Sequence, residues 1–319
     1  MVRVLAVLLF LVPGLGVAQD AYPSRTVRIV VPYPAATPPD VLARIAAQRL
    51  AESWAQPVIV EVRDGAAGTI GTTQVAKAAA DGHTLLFTPD FPIVMQPALG
   101  STQYDASRDF APIAAVAQGV SLLAVNPQLG IDSVKDLIAA AKAKPGGLTF
   151  GSSGQASASF MCIQLLKRAA GIDLTEIPYK GAAPAIQAVM TGEISMYCSP
   201  SFQALPHVRS GKLKALGTLG PKPSPLSPDI PSIAEQGMPE VVVSTWYGLF
   251  APAGTPAGAL EKIHAGLKSA FDDAQVRQRL ANAGLESIWI DGVDFRKAIA
   301  SDLAKWTKLA RDTGLRAPQ

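Results

Sequence analysis

The segment Val27–Pro34, VRIVVPYP, indicates the fold class of this chain. Its first five residues are rich in β-branched side chains, as in a buried strand, and the prolines that follow end the strand. Residues 42–54 then place apolar side chains at helical spacing, and Asp40 in the first turn suits the positive end of a helix dipole. The chain therefore opens with a strand followed by a helix.

The same alternation continues along the chain. Further strands are predicted at 58–60 and 84–87, and a helix over 74–78 separates them. A β-α-β-α-β order favours a parallel sheet with right-handed crossovers. After residue 257 the pattern is that of helices alone, and the last of them has an apolar face that begins at Phe295.

Two long extended apolar segments, at 113–125 and 241–251, bracket a second α/β unit. A chain that inserts one unit within another must cross between them twice, and these segments are the natural crossings. We expect two lobes, one formed by 22–120 plus 245–319 and the other by 121–244. Because ligands of α/β sheets bind beyond the carboxyl ends of strands, a cleft between the lobes is the expected site.

Residues 1–18 have the pattern of a signal peptide. Arg3 supplies a positive start, residues 5–12 are apolar and uncharged, and Gly16 to Ala18 offer small side chains for cleavage. The apolar run is shorter than the ~20 residues that a spanning helix needs. No Cys follows the expected cleavage site, so a lipoprotein anchor is not indicated. We expect an exported periplasmic protein.

Composition and motifs exclude several functions. The 28 Lys and Arg against 25 Asp and Glu give a net charge of +3, which is too small and too evenly spread for a nucleic-acid surface. The three His have no metal-ligand spacing, there is no CxxC, and residues 151–155 are not a GxSxG motif. We expect no metal, no cofactor, no catalytic residue and no enzyme. An exported hydrolase or isomerase on a similar two-lobed fold stays as the alternative, since distant residues can meet in a fold.

Three loops between a strand and a helix are candidates for binding an anion. They lie at 32–37, 88–90 and 151–157, and each would offer free backbone N–H groups and a helix dipole to a carboxylate. The candidate ligand-binding residues in them are Tyr33, Pro34, Ala36, Thr37, Thr88, Asp90, Ser152, Ser153 and Ser157. The alternative is that these are ordinary loops in which serines cap helices.

Asp90 and the two cysteines leave alternatives open. A carboxylate at position 90 would repel an anion unless it is turned away, protonated or paired with a donor of the ligand. It could instead cap a helix just outside the cleft. Cys162 and Cys198 fall in one lobe of an exported protein, where we expect Cα atoms within the ~7 Å that a disulfide requires. Spacing alone does not show whether they pair.

Short segments in a fixed order carry a family resemblance that extends from about Tyr22 to the C-terminus. They are YPS (22–24), VVPYP (30–34), DVLAR (40–44), QPV (56–58), GTIG (68–71), DGHTLL (81–86), DFAPI (109–113), SSG (152–154), PYKG (178–181), LPH (205–207), GKL (211–213) and WYGLFAPAGTP (246–256). Taken together, they resemble the periplasmic receptors of the tripartite tricarboxylate transporter family, also called the Bug family.

The resemblance implies a type II periplasmic-binding-protein fold. It also implies a receptor that passes a small carboxylate, such as a dicarboxylate or an aromatic acid, to a two-component membrane permease. From the long apolar strands and the β-α-β order we expect a monomer. In this family the loop after the first strand holds the ligand carboxylate, partly through water. The loop at 151–157, called the serine loop below, and the loop at 198–200 close the other side of the ligand site. The resemblance thus adds Tyr179, Cys198 and Ser199 to the candidate ligand-binding residues.

The chain departs from the family pattern near the expected site. Ala35 and the Pro38-Pro39 pair crowd a loop in which the family usually has a glycine pair. Phe160 stands where many relatives have His. Cys198 stands where amino-acid-binding members have an Asp for the ligand ammonium, which argues against an amino-acid ligand. Asp90 stands where relatives often have a small or hydroxylated residue.

Overall fold

The computed structural model describes residues 22–100, 102–154 and 157–314, so the predicted signal peptide lies outside the described residues. The strands are β1 (Val27–Val31), β2 (Val58–Val62), β3 (Thr84–Pro89), β4 (Phe110–Val125), β5 (Thr149–Ser152), β6 (Thr175–Pro178), β7 (Met196–Pro200), β8 (Lys214–Thr218), β9 (Ser244–Pro252) and β10 (Glu286–Asp291). The helices are α1 (Pro38–Trp54), α2 (Thr69–Ala76), α3 (Gln96–Leu99), α4 (Val134–Ala143), α5 (Ala158–Ala170), α6 (Ala182–Thr191), α7 (Ser201–Arg209), α8 (Ala257–Asp272), α9 (Ala274–Asn282) and α10 (Gly292–Thr313). A π-helical turn, Phe91–Met95, follows β3.

The predicted β-α-β-α-β start is confirmed. Strand β1 pairs in parallel with β2 on one side and with β3 on the other. The register joins Ile29 to Val60 and to Leu85. Strand β9 then pairs antiparallel with β3, so that this half of the sheet continues into the crossing strands.

The two predicted crossings are the long strands β4 and β9. Strand β4 has 16 residues and pairs with β9 from Phe110 to Val120. From Ser121 to Val125 it pairs with β7, and β8 pairs with the same end. Strands β5 and β6 extend this second half in parallel. One strand therefore belongs to both halves of the sheet, in the order β2-β1-β3-β9-β4-β7-β5-β6.

Two strands were not predicted from the sequence. Residues after 257 were expected to be helical only, which is wrong, because β10 pairs antiparallel with β4 through Glu286 and Asp291. Strand β8, KALGT, also pairs with β4. Both segments mix polar and apolar side chains, so their strand conformation depends on pairing with a strand distant in sequence. The sequence also predicts a strand over 193–197 and a helix over 205–209, whereas β7 begins at Met196 and α7 begins at Ser201.

The sheet is covered on both faces. Helices α1 and α8 bury one face of the first half, where Ile29, Leu85 and Leu267 share a core. Helix α10 covers the other face, and its Phe295 ring lies 4.7 Å from Trp246 and 5.3 Å from Phe250, measured between ring centroids. The predicted apolar face of the last helix is therefore the one that packs on the sheet. Within the described part of the chain, no helix is both long and apolar enough to cross a membrane.

Gly248 lets α10 approach the sheet closely. A Cβ at this position would lie 2.6 Å from Phe295 Cε1 and Cζ and 3.1 Å from the carbonyl oxygen of Ala114. We expect Gly248→Ala to lower the free energy of unfolding by about 1–3 kcal/mol, as overpacking does. Gly258→Ala is the matched control, because its Cβ would meet nothing within 4 Å in α8 and alanine favours a helix. Thermal denaturation should show a lower Tm for the first variant only; equal Tm values would contradict this packing.

Candidate functional site

The loop between β1 and α1 is held in an unusual backbone conformation. Ala36 has φ 63°, in the left-handed region, and its N–H donates to Asp40 Oδ2 at 2.9 Å. The Thr37 hydroxyl donates to the carbonyl of Pro34 at 2.6 Å. Burial acts to raise the pKa of Asp40, but hydrogen bonds from Arg44 and Ala36 outweigh burial and lower it. Pro34 and Ala36 are exposed, and Thr37 is half-buried.

The turn between β2 and α2 lies next to the β1–α1 loop and has a strained backbone. Ala66 and Ala67 have φ 46° and 53°, which non-glycine residues rarely adopt. The Tyr33 hydroxyl lies 3.5 Å from the carbonyl oxygen of Ala67, and a Cβ on Gly68 would meet the ring of Tyr33. The sequence does not predict this turn as part of the site, because alanine gives no signal of strain. Such strain, about 1–3 kcal/mol per residue, clusters at functional sites.

The third segment, at the end of β3, holds two buried polar side chains. Thr88 is fully buried, and its Oγ1 has no hydrogen-bond partner. Asp90 is 7% exposed and precedes the π-helical turn without a capping hydrogen bond from its side chain. Burial raises the pKa of the Asp90 carboxyl to about 8; the charge of Asp302 adds to this effect and Lys305 opposes it. The capping alternative for Asp90 is not supported by these contacts.

Two tyrosines lie close enough to Asp90 for its charge to raise their pKa values. Burial, and then the charge of Asp90, raise the pKa of Tyr33 and of Tyr247 above the ordinary value. Both phenols are therefore uncharged donors at physiological pH. Tyr247 pairs with Pro89 across β3 and β9. Tyr247 is not among the site residues predicted from the sequence, although it lies within one of the segments that carry the resemblance.

All three predicted hydroxyls of the serine loop contact other groups of the protein. Ser152 is fully buried and donates to Glu176. Ser157 caps α5 by accepting the N–H of Phe160 at 3.2 Å, and it donates to the carbonyl of Gly154 at 2.6 Å. Ser157 thus fits the capping alternative. Ser153 is exposed, and its Oγ lies 3.2 Å from Tyr197 Oη.

The remaining candidates lie in the second half of the sheet. Tyr179 donates to Glu193 Oε1 at 2.8 Å, and burial together with this bond raises the pKa of Tyr179 to about 12. Cys198 is joined to Cys162 by a disulfide with Cα atoms 6.5 Å apart. Ser199 is fully buried, and its hydroxyl donates to the carbonyl of Pro200 at 3.1 Å.

Strand register brings the ends of β3 and β7 to the same region of the crossing. Pro89 pairs with Tyr247, which in turn pairs with Ala117 of β4. Pro200 pairs with Ser121, four residues further along β4. At ~3.3 Å per residue these strand ends are offset by about 13 Å along β4. The structure thus places the Asp90 segment and the Cys198–Ser199 segment on opposite sides of one crossing.

The chemistry of these segments suits an acceptor-rich anion. Hydroxyl groups of Tyr33, Tyr247 and Ser153 and backbone N–H groups are donors, and none of the predicted site residues is Lys or Arg. Recognition of a carboxylate would rely on hydrogen bonds to the charged group, worth roughly 1.5–3 kcal/mol each.

An apolar cavity lies away from these loops. It has a volume of about 640 Å³ and is lined along α10 by Ile299 and Leu303 and on the sheet by Phe250. None of the predicted site residues lines it. We do not assign the ligand site to this cavity, because it lies over a helix rather than beyond strand ends.

Sequence comparison places this chain beside known receptors. The profile of the family described as "Tripartite tricarboxylate transporter family receptor" matches residues 42–315. Protein BugT of Bordetella pertussis (strain Tohama I) is 34% identical over 320 residues, covering 98% of each chain.

Solved structures share the fold. A TctC solute-binding protein from Polaromonas without ligand superposes with a TM-score of 0.84 at 26% identity, covering 91% of this chain and 99% of that one. R. palustris Rpa4515 with adipate gives 0.73 at 29% identity, covering 92% and 99%. The predicted two-lobed α/β fold of type II periplasmic binding proteins is confirmed.

The disulfide between Cys162 and Cys198 yields a prediction for the exported protein. Labelling of thiols after unfolding should detect none before reduction and two after it. Because the bond closes a loop with a sequence separation of 36, its reduction should lower the free energy of unfolding by ~3–4 kcal/mol and lower Tm. A variant with both cysteines changed to Ala is the control, and its Tm should not respond to reductant. Two reactive thiols in the unreduced protein would contradict the bond.

Proposed function

The chain belongs to the tripartite tricarboxylate transporter family of receptors, and from this membership we propose that it captures a small organic acid in the periplasm and delivers it to a two-component membrane permease. The proposed ligand class is a dicarboxylate or an aromatic carboxylate. The adipate complex of the relative Rpa4515 supports a dicarboxylate. We propose that the signal peptide of residues 1–18 is removed and that the receptor acts as a monomer without catalysis.

The observation that carries this proposal is the meeting of donor-rich strand ends at one crossing. Strained turns at Ala36 and at Ala66–Ala67 fix backbone groups on one side, and Ser153 with Tyr197 offers hydroxyls on the other. A preorganised set of donors suits a carboxylate, because little conformational entropy is lost when the ligand binds. The ligand-binding roles of the predicted site residues are part of the proposal.

We further propose that the ligand closes two lobes, 22–120 plus 245–319 and 121–244. The change of β4 partners between Val120 and Ser121 supports this division. The greater structural similarity to the ligand-free relative than to the adipate complex, despite lower sequence identity, supports an open arrangement of the lobes here. Binding energy would then shift the population toward a closed form.

A thermal-shift screen against C4–C6 dicarboxylates, benzoate and nicotinate tests the ligand class. An acid present at ~100 times its Kd should add about 2.7 kcal/mol to the free energy of unfolding and raise Tm. The acid should be recovered unchanged after incubation, whereas an enzyme would consume it. Failure of every acid in the screen to raise Tm would contradict the proposed ligand class.

Solution scattering tests closure. The radius of gyration should fall when the acid that binds most tightly is added at saturation, because the lobes approach each other around β4 and β9. The same measurement with an acid that gives no thermal shift is the control. An unchanged radius of gyration with the bound acid would contradict closure.

Ser153→Ala tests the serine loop. If the exposed hydroxyl of Ser153 donates to the ligand, its loss should weaken binding about ten-fold, the effect of ~1.4 kcal/mol. Ser210→Ala is the matched control, since the Ser210 hydroxyl bonds to the carbonyl of His207 on the outside of α7. Calorimetry should show the loss for Ser153→Ala alone. Equal affinities would leave only backbone and water contacts to this loop.

A further inference from the structure

Asp90 is a buried acid at the proposed site, and within the described part of the chain no Lys, Arg or His forms a salt bridge with it. It is 7% exposed, and its side chain makes no capping hydrogen bond. Lys305 of α10 is the cation that favours its charged form. That ammonium, however, pairs with Asp302 at 3.1 Å and donates to the carbonyl of Val242 at 3.2 Å. Lys305 is therefore engaged with other groups.

The groups around Asp90 act on its charge in both directions, and hydrogen bonds from the backbone N–H groups of Asp90 and Phe91 lower its pKa. The phenols of Tyr33, in the loop after β1, and of Tyr247, in β9, have raised pKa values partly because of Asp90. Asp302 adds a second negative charge from α10 and is held in place by Trp246 Nε1 at 3.1 Å. Burial outweighs the groups that favour the charge, because a buried carboxylate that is only weakly paired costs several kcal/mol, so the neutral form is favoured. Accordingly, burial raises the pKa of Asp90 to about 8.

We propose that Asp90 binds the ligand as a neutral carboxylic acid, whose O–H donates a hydrogen bond to a carboxylate oxygen of the ligand. The inference rests on the proposed function and deepens it. The site selects an anion because the Asp90 carboxyl is already protonated before the ligand binds. A neutral acid forms no ion pair with an ammonium group.

The sign of the pH dependence follows from proton linkage. At pH 7 most of the ligand-free receptor carries the proton on Asp90, and Kd is at its lowest. Above pH 8 the ligand-free receptor loses that proton, so binding must take one up and Kd rises as much as ten-fold per pH unit. A bound anion raises the pKa of Asp90 further, because like charge disfavours ionisation. Dicarboxylates are already fully ionised at pH 7, so their own titration does not contribute.

Calorimetry with adipate at pH 7 and pH 9 tests the proposal on the mature receptor; if adipate gives no thermal shift, the probe is the acid of the screen that gives the largest one. Wild type should bind about ten-fold more weakly at pH 9. At that pH, calorimetry in buffers of different ionisation enthalpy should reveal that binding takes up nearly one proton.

Asp90→Asn, whose amide is also a neutral donor, should bind within about three-fold of wild type at pH 7, and its affinity should not fall at pH 9. Asp229→Asn, at an exposed acid far along the chain, is the control and should follow wild type.

A second variant serves if Asp90→Asn does not fold. Asp302→Asn removes a negative charge that raises the pKa of Asp90, so the pH at which affinity begins to fall should be lower than in wild type. The ligand-free protein gives a further readout. Between pH 5 and 8 folded Asp90 holds a proton that the unfolded chain has released, so wild-type Tm should fall relative to Asp90→Asn as pH rises.

The outcomes separate this inference from the proposed function. Binding at pH 7 with an equal Kd at pH 9 in wild type, or the same pH profile in Asp90→Asn, would overturn the donor role and leave the receptor function intact. Loss of binding by Asp90→Asn together with tighter wild-type binding at pH 9 would also overturn it, because Asp90 would then act as an ionised acceptor. No binding of any acid by wild type at pH 7 would overturn both.

Discussion

The shared strand β4 is the constraint on which the rest of the structure depends. Its 16 residues pair first with β9 and then, from Ser121, with β7. The two halves of the sheet are therefore joined through one continuous strand. The hydrogen-bond register of a strand fixes the position of its partners to within one residue, since a slip would turn buried side chains outward. The ends of β3 and β7, which carry the proposed site, are therefore placed relative to each other through backbone pairing rather than by loops.

The sequence predicts those parts of the fold that are determined locally. The β1–α1–β2 unit follows from β-branched runs, prolines and helical spacing, and the crossings follow from long apolar segments. Strands β8 and β10 do not, because their polar residues become strand through pairing with β4. The same limit applies to the site. A general rule about strand ends finds the loops, but only the fold shows that the Ser152 hydroxyl is bound to Glu176 or that Tyr247 lies near Asp90.

The proposed recognition of an anion without a cation agrees with the strained backbone of this site. An Arg in the site would bind many anions in several orientations, whereas N–H and O–H groups must be aimed at each oxygen. The left-handed Ala36, Ala66 and Ala67 cost about 1–3 kcal/mol each in the folded state. Hydrogen bonds to a charged ligand return a comparable ~1.5–3 kcal/mol each. The cores on the two faces of the sheet offset strain of this size, because each fully buried apolar side chain contributes about 1.5–3 kcal/mol.

The two charges that modify the pKa of Asp90, after burial has raised it, also contact the start of β9. Asp302 accepts from Trp246 Nε1, and Lys305 donates to the carbonyl of Val242, so the pair contacts residues on both sides of Ser244, where β9 begins. The crossing at β9 is one of the two segments about which the lobes would turn. A shift of this segment against α10 therefore changes the distances from Asp302 and Lys305 to Asp90, and with them the pKa of the acid. Ligand capture and proton binding would then depend on the same few contacts between α10 and the start of β9.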